Sequence, residues 1–304
     1  MSRPEKGSEV EVVIDSLAFG GRGVARLDDF VLFVDRALPG DRVRARITKL
    51  KRRFGEGYAV EILEPGASRV KPPCPHYGIC GGCRLQALSY DDQKTWKHQQ
   101  VRDALERIGH QSAFELDPIV PAVETLGYRN KLELSFARTP DGPTMGFHRA
   151  GRWDEITPIT GCLLMGEAPN LARAVVQEWA RRAGLEVWDR RTNGGYLRHL
   201  IIRASERTGQ VLLTLVTNPG DLPQVGWLED ELRERVPGVV GLLHAPTDST
   251  GEATHGLAAT TVFGRDWYKE KLLGLKLRVS SGAFLQTNTT MCEKLYEMAI
   301  EEAH

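Results

Sequence analysis

The chain has 304 residues, five cysteines, and 40 Lys plus Arg against 40 Asp plus Glu, for a formal net charge of +0. That balance excludes indiscriminate attraction to nucleic acid, so any such binding has to come from local clustering of charge. An odd, unevenly spread cysteine set in a chain of this length argues against a disulfide framework, no apolar stretch approaches the roughly 20 residues of a membrane helix, and the N-terminus leads into no apolar signal core, so a cytoplasmic protein of about two or three domains is expected.

Residues up to about Pro65 read as short strands. Val10, Val12 and Ile14 alternate with polar neighbours, Phe30 to Val34 is an apolar run, and Val43, Ala45 and Ile47 alternate with Arg42, Arg44 and Arg46, as do Tyr58, Val60 and Ile62 with their neighbours. Glycine-bearing turns at residues 20–23, 38–41 and 54–57 punctuate them, the pattern of a small closed or nearly closed β-barrel. Arg42, Arg44 and Arg46 share one face of a strand and Lys49, Lys51, Arg52 and Arg53 follow, with no acid among them. Two readings stay open: an edge strand charged against edge-to-edge pairing, or an RNA-binding surface, which the nearby Phe54 and Tyr58 favour. The segments Gly20-Gly21-x-Gly23-Val24-Ala25-Arg26 and Ala37-Leu38-Pro39-Gly40-Asp41-x-Val43 resemble a TRAM domain, an oligonucleotide-binding-type barrel of RNA-modifying enzymes. Radical methylthiotransferases also carry such barrels, but this chain lacks their cysteine-x3-cysteine-x2-cysteine motif.

After a proline-rich lead-in comes Cys74-Pro-His-Tyr-Gly-Ile-Cys80-Gly-Gly-Cys83. Three thiolates around a side-chain-poor turn suit zinc or an iron–sulfur cluster, and a fourth ligand has to come from Cys162, Cys292 or His76. A helix follows, with Ser89 and Asp92 as a capping-box-like start, Val101, Leu105 and Ile108 as its apolar stripe and Gly109 as its stop. Barrel, cysteine turn and helix together resemble the RNA uracil-5-methyltransferase family. That resemblance implies a 4Fe-4S cluster on Cys74, Cys80, Cys83 and Cys162; Cys292 does not match the fourth-ligand position and, in a helix expected near the end of the sequence, reads as a small packed or surface residue.

From about residue 117 to 275 the chain alternates strand-like and helical signals, an α+β composition: a strand through Leu132, Leu134 and Phe136, a helix over 171–183, strands over 197–203 and 211–217 paired through Thr208-Gly209, and a strand over 239–244. Tyr128-Arg129-Asn130-Lys131, Gly146-Phe147-His148-Arg149 and Tyr196-Leu197-Arg198-His199 each set basic groups beside an aromatic. Taken singly these read as structural; the first two match family segments, which implies that some of these groups face RNA.

Phe284-Leu285-Gln286-Thr287-Asn288 resembles the family's entry into its catalytic domain, which implies Gln286 as an S-adenosyl-L-methionine contact, while Asn288 or Thr289 also suits a helix cap. The family's nucleophilic cysteine, which adds to uracil C6, and its general base fall beyond the last residue by this resemblance, so a truncated chain without catalytic residues is expected.

The sequence therefore predicts a multidomain protein: a TRAM β-barrel over 1–66, a central α+β domain with the cluster over 67–275, and the first elements of an α/β methyltransferase domain over 276–304. The expected function is S-adenosyl-L-methionine-dependent methylation of uracil C5 in structured RNA, 23S ribosomal RNA first, with no obligate protein partner and no membrane. The alternative is a non-catalytic RNA-binding module with structural zinc or 4Fe-4S.

Overall fold

A computed structural model describes residues 4–303. The described chain divides into two compact units, residues 1–121 and 122–304.

The first unit is built on a six-stranded sheet, β1 (Glu9–Val13), β2 (Ser16–Leu17), β3 (Gly23–Leu27), β4 (Phe30–Asp35), β5 (Arg42–Leu50) and β6 (Phe54–Glu64), in the order β1-β5-β6-β4-β3-β2. Residues 9–17 form one bent ribbon: its first half pairs with β5, and its second half, through the Asp15 amide on the Val24 carbonyl at 2.8 Å, pairs with β3. That bend closes the sheet on itself, as expected of a barrel. Alternate residues turn inward, with Val12, Ala25, Leu32, Val34, Val43, Ala45 and Ile47 all buried. Because β5 lies between β1 and β6, its arginines do not guard an edge.

Asp41, fully buried, fixes the turn before β5: it accepts from the Leu38 amide at 2.7 Å, the Gly66 amide at 2.9 Å, and both Nε and Nη2 of Arg69 at 2.8 Å. The lead-in then zips to residues 87–89, Val70 donating to Ala87 at 2.9 Å and Ser89 to Ser68 at 3.0 Å, so the cysteine turn is a loop with its ends tied. Helix α1 (Tyr90–Asp103) starts where predicted, the Ser89 hydroxyl accepting from the Asp92 amide at 3.2 Å. Its predicted stripe is a correction: Val101 is 49% and Ile108 79% exposed. The helix is held instead by Gln93 on the Leu85 and Leu88 carbonyls, Trp96 against Leu17, Leu38 and Leu88, and Gln100 on the Leu17 and Ala18 carbonyls. Spaced i, i+3, i+7, that face is largely polar, so hydropathy alone points to the wrong side.

The second unit centres on a seven-stranded sheet of β7 (Lys131–Thr139), β8 (Gly142–Arg149), β9 (Arg152–Pro158), β10 (Leu197–Ser205), β11 (Gln210–Thr217), β12 (Val239–Pro246) and β13 (Thr260–Gly264), in the order β13-β12-β11-β10-β7-β8-β9. The predicted β10–β11 hairpin through Thr208-Gly209 is present. Helix α2 (Glu167–Arg182) begins four residues earlier than its hydropathy indicates, because Pro169 sits in the first turn, where no intrahelical N–H is needed. Ala172, Val175, Val176, Trp179 and Ala180 bury one face of α2, and Leu228 and Leu232 bury that of α3 (Val225–Arg235), in one core with Leu200, Ile202, Leu213, Leu215 and Leu242. The other face of the sheet carries the hairpin β14 (Trp267–Leu272) and β15 (Leu275–Ser280), whose Tyr268 and Val279 pack on Leu212 and Leu243. Cover on both faces is why all nine residues of β10 are buried. Helix α4 (Thr289–Glu302) ends the described chain. No described helix is long and apolar enough to cross a membrane.

Candidate functional site

In the first unit, the cysteine turn is organised by its own backbone. The Tyr77 amide donates to the Cys74 carbonyl at 3.2 Å and the Cys80 amide to the His76 carbonyl at 2.9 Å, while Gly78 takes φ +83, a value that favours glycine. The Gly82 amide donates to the Cys80 sulfur at 3.4 Å, and a Cβ at Gly82 would stand 3.5 Å from that sulfur. The loop is anchored by Tyr77 and Leu85 against Leu17 and Leu38, and by the Tyr77 hydroxyl on the Arg84 carbonyl at 2.7 Å. Burial pushes the Cys80 thiol up, and its neighbours Cys83 and Cys74 push the same way. Three half-buried cysteines gathered in one turn, with Cys80 held toward its neutral form, are a donor set that a soft cationic centre would suit. Among the described residues, no group of three or more His, Cys, Asp or Glu side chains is arranged to hold a metal ion. In the second unit, Cys162 lies in the turn after β9, its backbone braced by Asn170 of α2, which accepts from the Cys162 amide at 2.8 Å and donates to its carbonyl at 3.1 Å. Cys292 is buried in α4, as expected of a packed residue.

The basic run on β5 meets acids that the linear sequence keeps far from it. Arg42 pairs with Glu11 at 2.9 Å and Glu64 at 2.6 Å, Arg44 with Glu61 at 2.8 Å, Arg46 with Glu9 at 2.7 Å, and Lys49 with Glu56 at 2.9 Å. The cross-strand registers Glu9↔Arg46, Glu11↔Arg44 and Arg44↔Glu61 set this ladder. Lys51, Arg52 and Arg53 follow in the exposed turn before β6.

In the second unit, the segment around Gln286 is clamped by its backbone. Asn130, buried at the start of β7, donates through Nδ2 to the Gln286 carbonyl at 2.7 Å and to the Thr289 hydroxyl at 3.0 Å, and its amide donates to the Thr287 carbonyl at 2.9 Å. Arg203, buried on β10, donates to the Ser281 carbonyl at 2.7 Å and to the Ala283 carbonyl. Glu270, also buried, accepts from Ser205 at 2.7 Å and Thr289 at 3.3 Å. Asn288 caps α4 by accepting from the Met291 amide at 3.0 Å. With the backbone held, side chains alternate: Ala283 and Leu285 pack toward Leu212 and Tyr268, while Phe284, 85% exposed, and Gln286 project outward.

The first and third basic–aromatic segments supply structure, while in the second Arg149 is exposed and pairs with Glu155 at 3.2 Å. Asn130 is spent on the clamp; Arg198, 2% exposed, stacks 3.8 Å from the Trp188 ring centroid and donates to the Ser249 and Gly251 carbonyls, each at 2.6 Å. His199 is buried beside Ser135, and burial lowers it to about 4. The sequence carried no sign of Arg203 or Glu270 as parts of the Gln286 support, since their partners Ser281, Ala283 and Thr289 lie 19 to 80 positions away.

Comparison with known proteins agrees with this architecture. Residues 3–60 match the TRAM domain family. An uncharacterized RNA methyltransferase of Halalkalibacterium halodurans is 31% identical across 98% of this chain and 65% of its own length. Another, of Caldanaerobacter subterraneus, is 34% identical across 98% of this chain and 67% of its own. The crystal structure of Pyrococcus abyssi tRNA (uracil-54, C5)-methyltransferase in complex with S-adenosyl-L-homocysteine superposes with a TM-score of 0.73 at 25% identity, covering 96% of this chain and 64% of that one. The chain thus spans about two thirds of the relatives it matches. A TRAM barrel, a clamped Phe-x-Gln-x-Asn segment and relatives aligned from end to end of the chain lead to one family: the chain belongs to the RNA uracil-5-methyltransferases.

Proposed function

We propose that the protein transfers a methyl group from S-adenosyl-L-methionine to C5 of a uracil in RNA, and that the RNA is 23S ribosomal RNA. The carrying observation is the Gln286 segment, whose outward side chains stand on a backbone fixed by Asn130 and Arg203. A polar side chain on a fixed backbone pays only its own rotamer ordering at binding, and the structural relative from Pyrococcus abyssi binds the demethylated cofactor. Gln286 would be a cofactor contact. Of the basic run, Lys49, Lys51, Arg52 and Arg53 would face the RNA from the barrel, while Arg42, Arg44 and Arg46 would serve the barrel itself through their carboxylate partners. Cys74, Cys80, Cys83 and Cys162 would hold a 4Fe-4S cluster that organises the fold, supplying a cationic centre to the thiolates. The division 1–66, 67–275 and 276–304 remains the proposed assignment of these roles along the chain. The test supplies S-adenosyl-L-methionine labelled at its methyl group together with ribosomal and transfer RNA. Label recovered as 5-methyluridine in 23S RNA is expected; label on another base overturns the chemistry, and label in transfer RNA alone overturns the substrate.

The burial of Cys292 favours a second reading, in which the described chain binds RNA around a structural metal without itself supplying a nucleophile. RNA affinity that falls steeply with salt, with no label transferred, is its expected signature.

A further inference from the structure

Two parts of the barrel surface offer cations to RNA, and they differ in what those cations already do. Arg42, Arg44 and Arg46 each lie 2.6–2.9 Å from a carboxylate supplied by β1 or β6. A phosphate that approaches them has to displace an acid fixed by strand register, so little net charge is left to exchange for counterions.

The outer surface of β3, β4 and the first half of β6 is built differently. The registers Val24↔Phe33, Phe33↔Glu56, Val31↔Phe54 and Asp35↔Tyr58 set Phe33, Phe54 and Tyr58 on adjoining rows of one face. Their chain neighbours Leu32, Val34, Gly55, Gly57 and Ala59 point into the barrel. Phe33 and Phe54 meet edge to face with centroids 5.9 Å apart. The Arg22 guanidinium lies 5.0 Å over the Phe33 ring and that of Arg36 lies 5.8 Å over Tyr58. Arg26 is exposed on β3, and Phe19, in the loop between β2 and β3, is 91% exposed. Two acids lie in this patch: Glu56, shared by Arg22 at 3.5 Å and Lys49 at 2.9 Å, and Asp35, 3.9 Å from Arg84; against Arg22, Arg26, Arg36 and Lys49 the balance stays positive.

We propose that this aromatic face, with Arg22, Arg36 and Phe19, holds a single-stranded stretch of the RNA, while Arg42 and Arg44 serve the barrel. The inference rests on the RNA reading above and locates its contact. A guanidinium stacked on an aromatic ring keeps its second planar face for a base, and an exposed phenyl ring offers another; every base has such a face, so the site tolerates sequence but requires unpaired bases. The net positive charge supplies the backbone attraction that the neutralised ladder lacks.

The test uses the full chain and a fluorescein-labelled single-stranded oligoribonucleotide of mixed sequence, read by fluorescence anisotropy. Replacing Arg22 and Arg36 together by lysine keeps charge and removes both planes; binding is expected to weaken about tenfold with little change in salt dependence. Replacing Arg42 and Arg44 together by glutamine is expected to leave affinity within about twofold, as removal of already neutralised cations should. Unchanged affinity in the lysine pair, or a larger loss in the glutamine pair, overturns the proposed face and leaves the RNA reading standing. Equal competition by a duplex of the same sequence overturns it too. No binding by the unaltered chain overturns both. Thermal melts check folding, and should the lysine pair unfold, Phe19→Ser on the exposed loop decides: a loss of several-fold supports the face and none overturns it.

Discussion

Asp41 and Arg69 form a bidentate pair, both bonds 2.8 Å, in which the carboxylate is fully buried and also receives the amides of Leu38 and Gly66. The pair ties the turn that opens β5 to the segment leading toward the cysteines.

Asp41→Ala leaves Arg69 and two amides without their acceptor. A loss of about 3–5 kcal/mol is expected from breaking a pair of this kind, measured by urea unfolding of the purified protein. Asp41→Asn, which keeps an acceptor oxygen, is expected to lose less.

Arg44 is a contrasting case. Its side chain is 40% exposed and its partners Glu61 and Glu11 are more so. Arg44→Ala is expected to cost less than about 1 kcal/mol, read from the same denaturant curves.

Asn130→Ala removes both side-chain bonds to the Gln286 segment. With one short bond to a part-buried carbonyl and one to a buried hydroxyl, about 2 kcal/mol is expected. Hydrogen exchange read by mass spectrometry should rise first in peptides covering residues 284–292, ahead of those from β10.

Burial holds His199 at about 4, below its ordinary 6.5, with Arg198 lowering it further and Glu133 opposing. The unfolded chain therefore binds more protons than the folded one between those values. Stability falls as pH falls through that window and is level above it. From about pH 7.5 to about pH 5 the loss attributable to this residue is about 2 kcal/mol. His199→Gln is expected to lack it, and urea unfolding of both proteins at the two pH values supplies the difference.

Anaerobic purification followed by iron, sulfide and zinc analysis tests the cysteine set. Iron and sulfide in equal amounts, lost on Cys83→Ser, are the expected outcome; zinc without sulfide replaces the cluster by a mononuclear site.

The barrel and the β10–β11 hairpin were legible because their information is local: alternating hydropathy, turn glycines at 20–23 and 38–41, and Thr208-Gly209 between two apolar runs; the turn expected at 54–57 lies instead at 51–53, with Gly55 and Gly57 facing into the barrel from β6. The three-cysteine turn was visible for the same reason. What the sequence did not show is pairing across distance. Glu9 and Glu11 neutralise arginines more than thirty positions away because β1 lies beside β5, and a run free of acid in sequence is paired with acids in space. The stripe on α1 failed for another reason, since Gln93 and Gln100 anchor the helix by hydrogen bonds to carbonyls that hydropathy does not register. Gln286 was identified by resemblance, but its support by Arg203 and Glu270 needed the fold.

That support has a kinetic side. Asn130 reaches Gln286 across 156 positions and Arg203 reaches Ala283 across 80, so each bond closes a long loop of the second unit. Contacts of such sequence separation carry the loop-closure entropy of everything between them and form late. The segment that presents Gln286 is therefore expected to gain hydrogen-exchange protection after the local β10–β11 hairpin as the chain folds.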